Sequence, residues 1–391
     1  MAIPRLRAYE GIPLFSYGFR PFFLFGALYG AIAVPLWILT YLGHLDLPVL
    51  FPAVEWHAHE MIYGYLAAVV TGFLLTAVPN WTGRLPLNGW PLVLLLTVWL
   101  AGRVAVAMSA KLGWAATAMI DCAFLVVVAL AMLREIVAGK NWSNLKVLIL
   151  VGIFIAGNVA FHLELHFTGT ALYGRKVGVA AAIMLITLIG GRIVPSFTRN
   201  WLARNQSKNL PAPFGKVDMI ALVAGLVSLI GWVIAEDSRV TGCLLLLAGG
   251  LHLVRLYRWQ GYRTTRDPLV LILHIAYAFI PVGFIVLAAA AFGLAPPTAG
   301  LHVWTVGAVG GMTLAVMTRA TLGHTGRALK ADVLTCVIYA AIILAALLRG
   351  VAAFAPEWGA HCLVIAAALW SAAFLTFGFG YGRALTSPRV S

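Results

Sequence analysis

The sequence predicts an all-α polytopic membrane protein of about twelve transmembrane helices. Three observations predict it. Of 391 residues, 62% are hydrophobic and only 10% charged, where a soluble chain carries about a quarter charged residues; mean hydropathy is +0.95. The apolar stretches run for about 20 residues, the length that crosses a hydrocarbon core as a helix, and lack the ten-residue alternation of barrel strands. Lys and Arg also fall mostly on one side of those stretches. The whole chain, 1–391, reads as a single membrane domain.

Taken in order, the spans lie at about 22–42, 57–79, 90–109, 113–133, 146–168, 174–196, 217–235, 240–259, 268–291, 300–322, 331–350 and 360–381. The tightest divisions are AEDSR between spans 7 and 8 and APEWG between spans 11 and 12. With the N-terminus inside, 21 Lys and Arg fall on the inner side, from Arg5 and Arg7 to Arg389. Only Arg103, Lys111, Arg175, Lys176, Arg239 and Arg349 fall on the other, 6 in all. The positive-inside rule then places both termini in the cytoplasm. The net charge of +14 is therefore a topology signal, and no nucleic-acid partner is expected. No early apolar stretch with a small-residue cleavage site marks a signal peptide, so the first helix is expected to insert itself. Cys122, Cys243, Cys336 and Cys362 lie in apolar runs without CxxC spacing, which predicts neither disulfides nor a zinc site. No Walker motif or βαβ glycine fingerprint marks a nucleotide site.

An internal repeat shows between spans 2 and 10. HEMIYGYLAAVVTGFLLTAVPNWTGR, from His59 to Arg84, and HVWTVGAVGGMTLAVMTRATLGHTGR, from His302 to Arg327, pair over 26 residues without a gap. Span 6 ends similarly in GGRIVPSFTR, and spans 4, 8 and 12 end in MLRE, LVRL and YGRA. This predicts three parallel units of four helices, at 16–140, 141–262 and 263–391, with the pseudo-axis along the membrane normal.

Ionisable groups within spans are costly and tend to mark function. The topology puts His57, His59, His162, His166 and His302 toward the outer side. His162 and His166 sit four apart, about 40° on one helix face, a spacing that can grip one metal. His57 and His59 sit two apart, about 200° on a helix, so they should face different neighbours. Glu60, three residues after His57, could orient it from behind. A polar helix start would explain Glu60 through the helix dipole but not two histidines. His302 pairs with His59 in the repeat and is followed by Gly307, Gly310 and Gly311, which let a flat ring or a helix approach. Imidazole ligands in an apolar bundle suit haem iron or copper over magnesium or calcium, while zinc stays open on ligand type. Without CxxCH, a haem would be non-covalent haem b. On the inner side, Asn80, Arg84, Arg192, Thr198, Arg199, Arg319 and His324 form a second polar set. Arg192 and Arg319 call for a partner such as a haem propionate, a quinone carbonyl or a carboxylate; snorkelling to lipid serves as well. His252 and His274 lie deeper and could hold a second cofactor.

GFRPFF at 18–23, WHAHEM at 56–61, GFLLTAVPNWTG at 72–83, GGRIVPSFT at 190–198 and MTRATLGHTGR at 317–327 together resemble the NnrS family. The resemblance spans nearly the whole chain. It implies a bacterial inner-membrane protein that contains haem and copper and is tied to nitric oxide response and denitrification. His57, His59, Glu60, Arg192, Arg319 and His324 are the positions its motifs carry over as cofactor-binding candidates. His302 comes from the repeat, and His162 and His166 from spacing.

The resulting expectation is a haem- and copper-binding protein of nitric oxide tolerance or turnover. Turnover would require electrons from a quinol or a periplasmic donor. Twelve spans with repeats also fit a transporter or channel for a metal, haem or small solute. A sensor acting alone would need larger cytoplasmic loops than these.

Overall fold

The computed structural model describes residues 9–390. Arg5 and Arg7, which the orientation reading uses, lie outside them. The described residues are helical, with no strand. Twelve helices are long and apolar enough to cross a membrane. They are α1 (Phe19–Tyr41), α2 (Ala53–Thr82), α3 (Trp90–Ala107), α4 (Trp114–Ala138), α5 (Trp142–Thr168) and α6 (Leu172–Arg204). There follow α7 (Lys216–Ile234), α8 (Arg239–Arg263), α9 (Pro268–Ala291), α10 (Pro297–His324), α11 (Val333–Phe354) and α12 (Glu357–Thr386). The twelve apolar runs and the twelve helices coincide in order. The helices α2, α6 and α10 extend beyond their apolar runs, to 30, 33 and 28 residues. Their polar ends continue the helix because helical hydrogen bonds close within the segment whatever the side chains.

Local signals set the starts and stops. Ser238, Asp267 and Asp332 cap the first turns of α8, α9 and α11 by accepting backbone N–H bonds. Gly83 and Gly169 end α2 and α5 in the left-handed region, where a side chain would be strained. The outward faces of the less buried helices are apolar: Met119 and Leu130 on α4, Val223 on α7, Leu247 on α8 and Leu347 on α11 are all exposed. Such faces require lipid. By contrast the most apolar 18-residue stretch of α2 is 78% buried and that of α10 67%, against 33% for α4 and α11. Polar groups on α2 and α10 are therefore held in protein.

Three of these helices change pitch. Residues Glu60–Leu66 of α2, Ile186–Gly190 of α6 and Val303–Gly310 of α10 are π-helical. The wider π turn is costly and recurs at functional sites. In α2 and α10 it covers the positions that the 26-residue correspondence pairs.

The chain divides into two compact units. The first takes residues up to Ala181, Thr321–Arg327 and the end of the chain from Phe374. In it, Arg20 of GFRPFF is buried and donates to the carbonyls of Leu385 (2.9 Å) and Ser387 (2.6 Å). It thereby satisfies the C-terminal end of α12, where a cation also meets the helix dipole. Gly157 of α5 and Gly174 and Gly178 of α6 let these helices close around Tyr63, whose hydroxyl donates to the Gly174 carbonyl at 2.6 Å. The second unit holds residues 182–320 and 328–373. Its interior contains the ion pair Asp218–Arg255 at 2.9 Å, with Arg255 also donating to Thr187 O and Tyr277 Oη.

A Cβ at Gly174 would overlap the backbone of Phe161. Gly174→Val should therefore cost about 1–3 kcal/mol, read as a lower unfolding midpoint in detergent. An unchanged midpoint would show that α5 and α6 do not approach there.

Candidate metal centre

The first unit carries a buried cluster built on α2 through α5. His59 and Glu60 stand where α2 passes into its π segment, Arg103 comes from α3, Asp121 from α4, and Asn158 and His162 from α5. All six are buried. Asp121 lies at the centre. Its Oδ2 is 3.2 Å from His59 Nε2 and 3.0 Å from His162 Nε2, and it accepts from Asn158 Nδ2 at 2.9 Å. Its Oδ1 accepts from Arg103 Nη2. Behind His59, Nδ1 donates to Glu60 Oε1 at 2.8 Å. Glu60 is held in turn by Arg103 through Oε1 and by the Tyr29 hydroxyl through Oε2. Phe51, Tyr63 and Phe161 pack around the His59 ring.

Two features leave this cluster incomplete as protein alone. The first is charge. Two carboxylates face one guanidinium, so with neutral imidazoles the buried set carries one unbalanced negative charge. That is expensive in a low-dielectric interior. The second is hydrogen-bond direction. His59 gives its Nδ1 proton to Glu60, so the neutral ring has a lone pair at Nε2. That lone pair meets two acceptors, Asp121 Oδ2 and Asn158 Oδ1, the latter at 3.1 Å. Turning the Asn158 amide over would only set its oxygen against Asp121 instead. A cation at this point, a proton on His59 or a metal ion, resolves both.

The donors fit a metal. His59, Asp121 and His162 are the one group of three His, Cys, Asp or Glu residues among the described residues whose ligand atoms lie within 4.8 Å of one another. Ligand atoms about 2.0–2.1 Å from a tetrahedral ion stand about 3.3 Å apart. The 3.0 and 3.2 Å separations already approach this. Glu60 on Nδ1 of a ligating His59 is the usual outer carboxylate that fixes tautomer and ring plane. A haem does not fit here, because a carboxylate and an amide already occupy the space in front of His59 Nε2.

The other expected residues lie elsewhere. His57 stacks on Trp37 of α1 with centroids 4.0 Å apart, so the two neighbouring rings diverge. Glu60 serves His59 rather than His57, accepting from its Nδ1 at 2.8 Å. His166 stacks on Trp114 at 4.1 Å. Glu164 turns away from both histidines of α5 and accepts from the N–H groups of Tyr173 and Gly174, capping α6. His302 lies in the second unit and donates from Nδ1 to Thr298 O of its own helix. Of His57, His59, His162, His166 and His302, only His59 and His162 share one metal-sized cluster.

On the inner set, Arg319 sits over the Phe197 ring at 4.2 Å, Arg192 is exposed, and His324 rests against Tyr17 and Phe19. His252 Nδ1 pairs with Tyr277 Oη at 2.9 Å and His274 Nε2 with Thr198 Oγ1 at 2.7 Å.

Three families of motif residues thus have places: Arg20 on the end of α12, the WHAHEM histidine and glutamate in the cluster, and MTRATLGHTGR along the end of α10. The family described as NnrS protein matches residues 13–389. The chain belongs to the NnrS family. No curated protein matches it significantly. Family membership covers the whole cluster, from Tyr29 through His162.

Asp121, Arg103 and Asn158 escaped the sequence reading, which counted Arg103 only toward orientation. A signal was present. Arg103 and Asp121 flank the turn at 108–113 and are charges of opposite sign at similar depth in antiparallel helices, where an unpaired charge is costly.

Arg103→Gln strips the guanidinium from two buried carboxylates and should cost about 3–5 kcal/mol. Adding Glu60→Gln should recover part of that loss, as measured by unfolding in detergent. Loss of the same size in both variants would mean that charge is not what Arg103 supplies.

Proposed function

We propose that this chain is a membrane metalloprotein that binds copper at His59, His162 and Asp121 and acts in nitric oxide tolerance or turnover. The observation that carries the metal reading is the ring of acceptors around His59 Nε2 within a set of one net negative charge. A monovalent cuprous ion would bring that set to neutrality, whereas a divalent ion would leave it positive. Imidazole nitrogen is a good ligand for copper, although two imidazoles and a carboxylate also suit non-haem iron and zinc. The nitric oxide role and a second, haem cofactor rest on the family resemblance. A haem b would have to use other histidines, with His57, His302 and His324 the candidates and Arg192 or Arg319 as propionate partners. The excess of Lys and Arg on one side supports an inner-membrane protein with both termini cytoplasmic.

When bound, a cuprous ion supplies an electron-rich centre for a small neutral ligand such as nitric oxide, which partitions readily into the bilayer. The protein's own residues set the conditions. Glu60 fixes His59 in the tautomer that presents Nε2. Arg103 anchors Asp121 through Oδ1 and leaves Oδ2 toward the two rings. Phe51, Tyr63 and Phe161 keep water from the His59 ring. Turnover would draw electrons from a quinol or a periplasmic donor. A transporter for metal, haem or solute is the weaker reading, since the cluster is locked by Arg103 and Tyr29 on one side.

Purified protein from cells supplied with copper and iron should contain one copper per chain. His59→Ala, His162→Ala and Asp121→Asn should lose it, while His57→Ala should keep it, by elemental analysis and by EPR after oxidation. Copper-free wild type, or copper retained in all three cluster variants, would sink the proposal.

A further inference from the structure

A cavity of about 210 Å³ lies against the cluster in the first unit. Its wall includes Phe51, Ser109, Trp114, Thr117, His162 and His166. His162 is 5% exposed and touches Asp121, whereas His166 is exposed to the surroundings. The cavity therefore joins the buried cluster to an open end through two imidazoles of one helix face, about 6 Å apart along the axis. The wall hydroxyls are already committed. Ser109 Oγ accepts from Leu50 N at 2.9 Å, and Thr117 Oγ1 donates to Gly113 O at 2.9 Å. The two histidines supply the only metal-ligating nitrogens in the wall. Trp114 stacks parallel to His166, 12° between planes, and fixes the ring at the open end.

We propose that this cavity is the loading path of the metal centre, in which His166 captures a transition-metal cation at the open end and passes it to His162. The inference rests on the metal reading of the cluster. A small neutral molecule could reach the site through lipid; a cation crossing an apolar region needs a ligand at each stage. The transfer is ligand exchange: one metal–nitrogen bond forms as another breaks, and no electron moves. The space exceeds what one water requires, so the ion can shed its hydration shell gradually.

The test is the rate at which metal-free protein in detergent takes up cuprous ion from a chromophoric chelator without oxygen. His166→Ala should slow uptake at least tenfold yet reach the wild-type stoichiometry. His166→Cys, which keeps a ligand but loses the stack on Trp114, should restore the rate. Leu165→Trp, which fills the cavity from its wall, should slow uptake without touching a ligand. Wild-type rates in His166→Ala, or failure of His166→Cys to rescue, overturn the loading role while leaving the centre intact. Loss of stoichiometry in His166→Ala overturns it too, by making His166 a permanent ligand. No uptake by wild type overturns the loading role together with the centre.

Discussion

The first unit is organised around one electrostatic constraint: Glu60 and Asp121 are buried among apolar helices and share the Arg103 guanidinium as countercharge. Each of these groups would be costly alone in such surroundings, and each is reached by more than one partner. Arg103 binds both acids and so ties α3 to α2 and α4 at one depth. Asp121 uses its second oxygen on α5 and on His59. The fold around it follows from keeping four helices in register with that network. The glycines of α5 and α6 and the closed hairpin of α3 and α4 serve the same end, because a shift of one turn in any helix would strand a charge.

The π segments show how the chain supplies the required geometry. An α-helix would carry the side chains around His59 at the ordinary angular step. The π turn beginning at Glu60 changes that step just where Glu60 must reach behind His59, across from Arg103. The segment also sets the Gly64 carbonyl as acceptor for Trp99 Nε1 at 3.0 Å, joining α2 to α3 a second time. In α6 the Thr187 carbonyl of the π segment is taken by Arg255 in the same fashion. In α10 the π segment stands at the positions paired with those of α2, but Val303 replaces Glu60 and no acid follows. The two helices thus share the π segment, while only α2 carries an acid at the start of it. The three-unit division remains a proposal built on the same correspondence.

The fold was legible because one signal, the length of apolar runs, dominates in a membrane chain. The ends of α2, α6 and α10 were less legible because the helix there continues past the apolar run into polar residues such as Arg199 and Arg204, and helical hydrogen bonds close whatever the side chains. Of the site, His59, His162 and Glu60 could be picked out by residue type, since histidines and acids are rare in such helices. Their grouping could not be, for it depends on which helices adjoin. His57 and His166 have the same chemistry as His59 and His162 yet meet tryptophan faces. Asp121 was hidden for a different reason: in MIDCAFL it is a lone acid without spacing to any other. Arg103, as its partner in depth, was the available clue.

The second unit offers a control within the same molecule. Asp218 and Arg255 are as deeply buried as the first cluster, and a histidine, His252, stands nearby. There the charges close at zero. Arg255 donates from Nε to Asp218 and from Nη1 to Thr187 O and Tyr277 Oη, and Tyr277 in turn meets His252. No two acceptors converge on a lone pair, and no further cation is called for. Burial and histidine content alone therefore do not separate a ligand site from structural polar packing. The separating features are the sign left over after the fixed charges are summed and the direction of each hydrogen bond. By both, the cluster at His59 differs from the pair in the second unit: it has a charge left over and acceptors converging on one lone pair, whereas Asp218 and Arg255 balance each other.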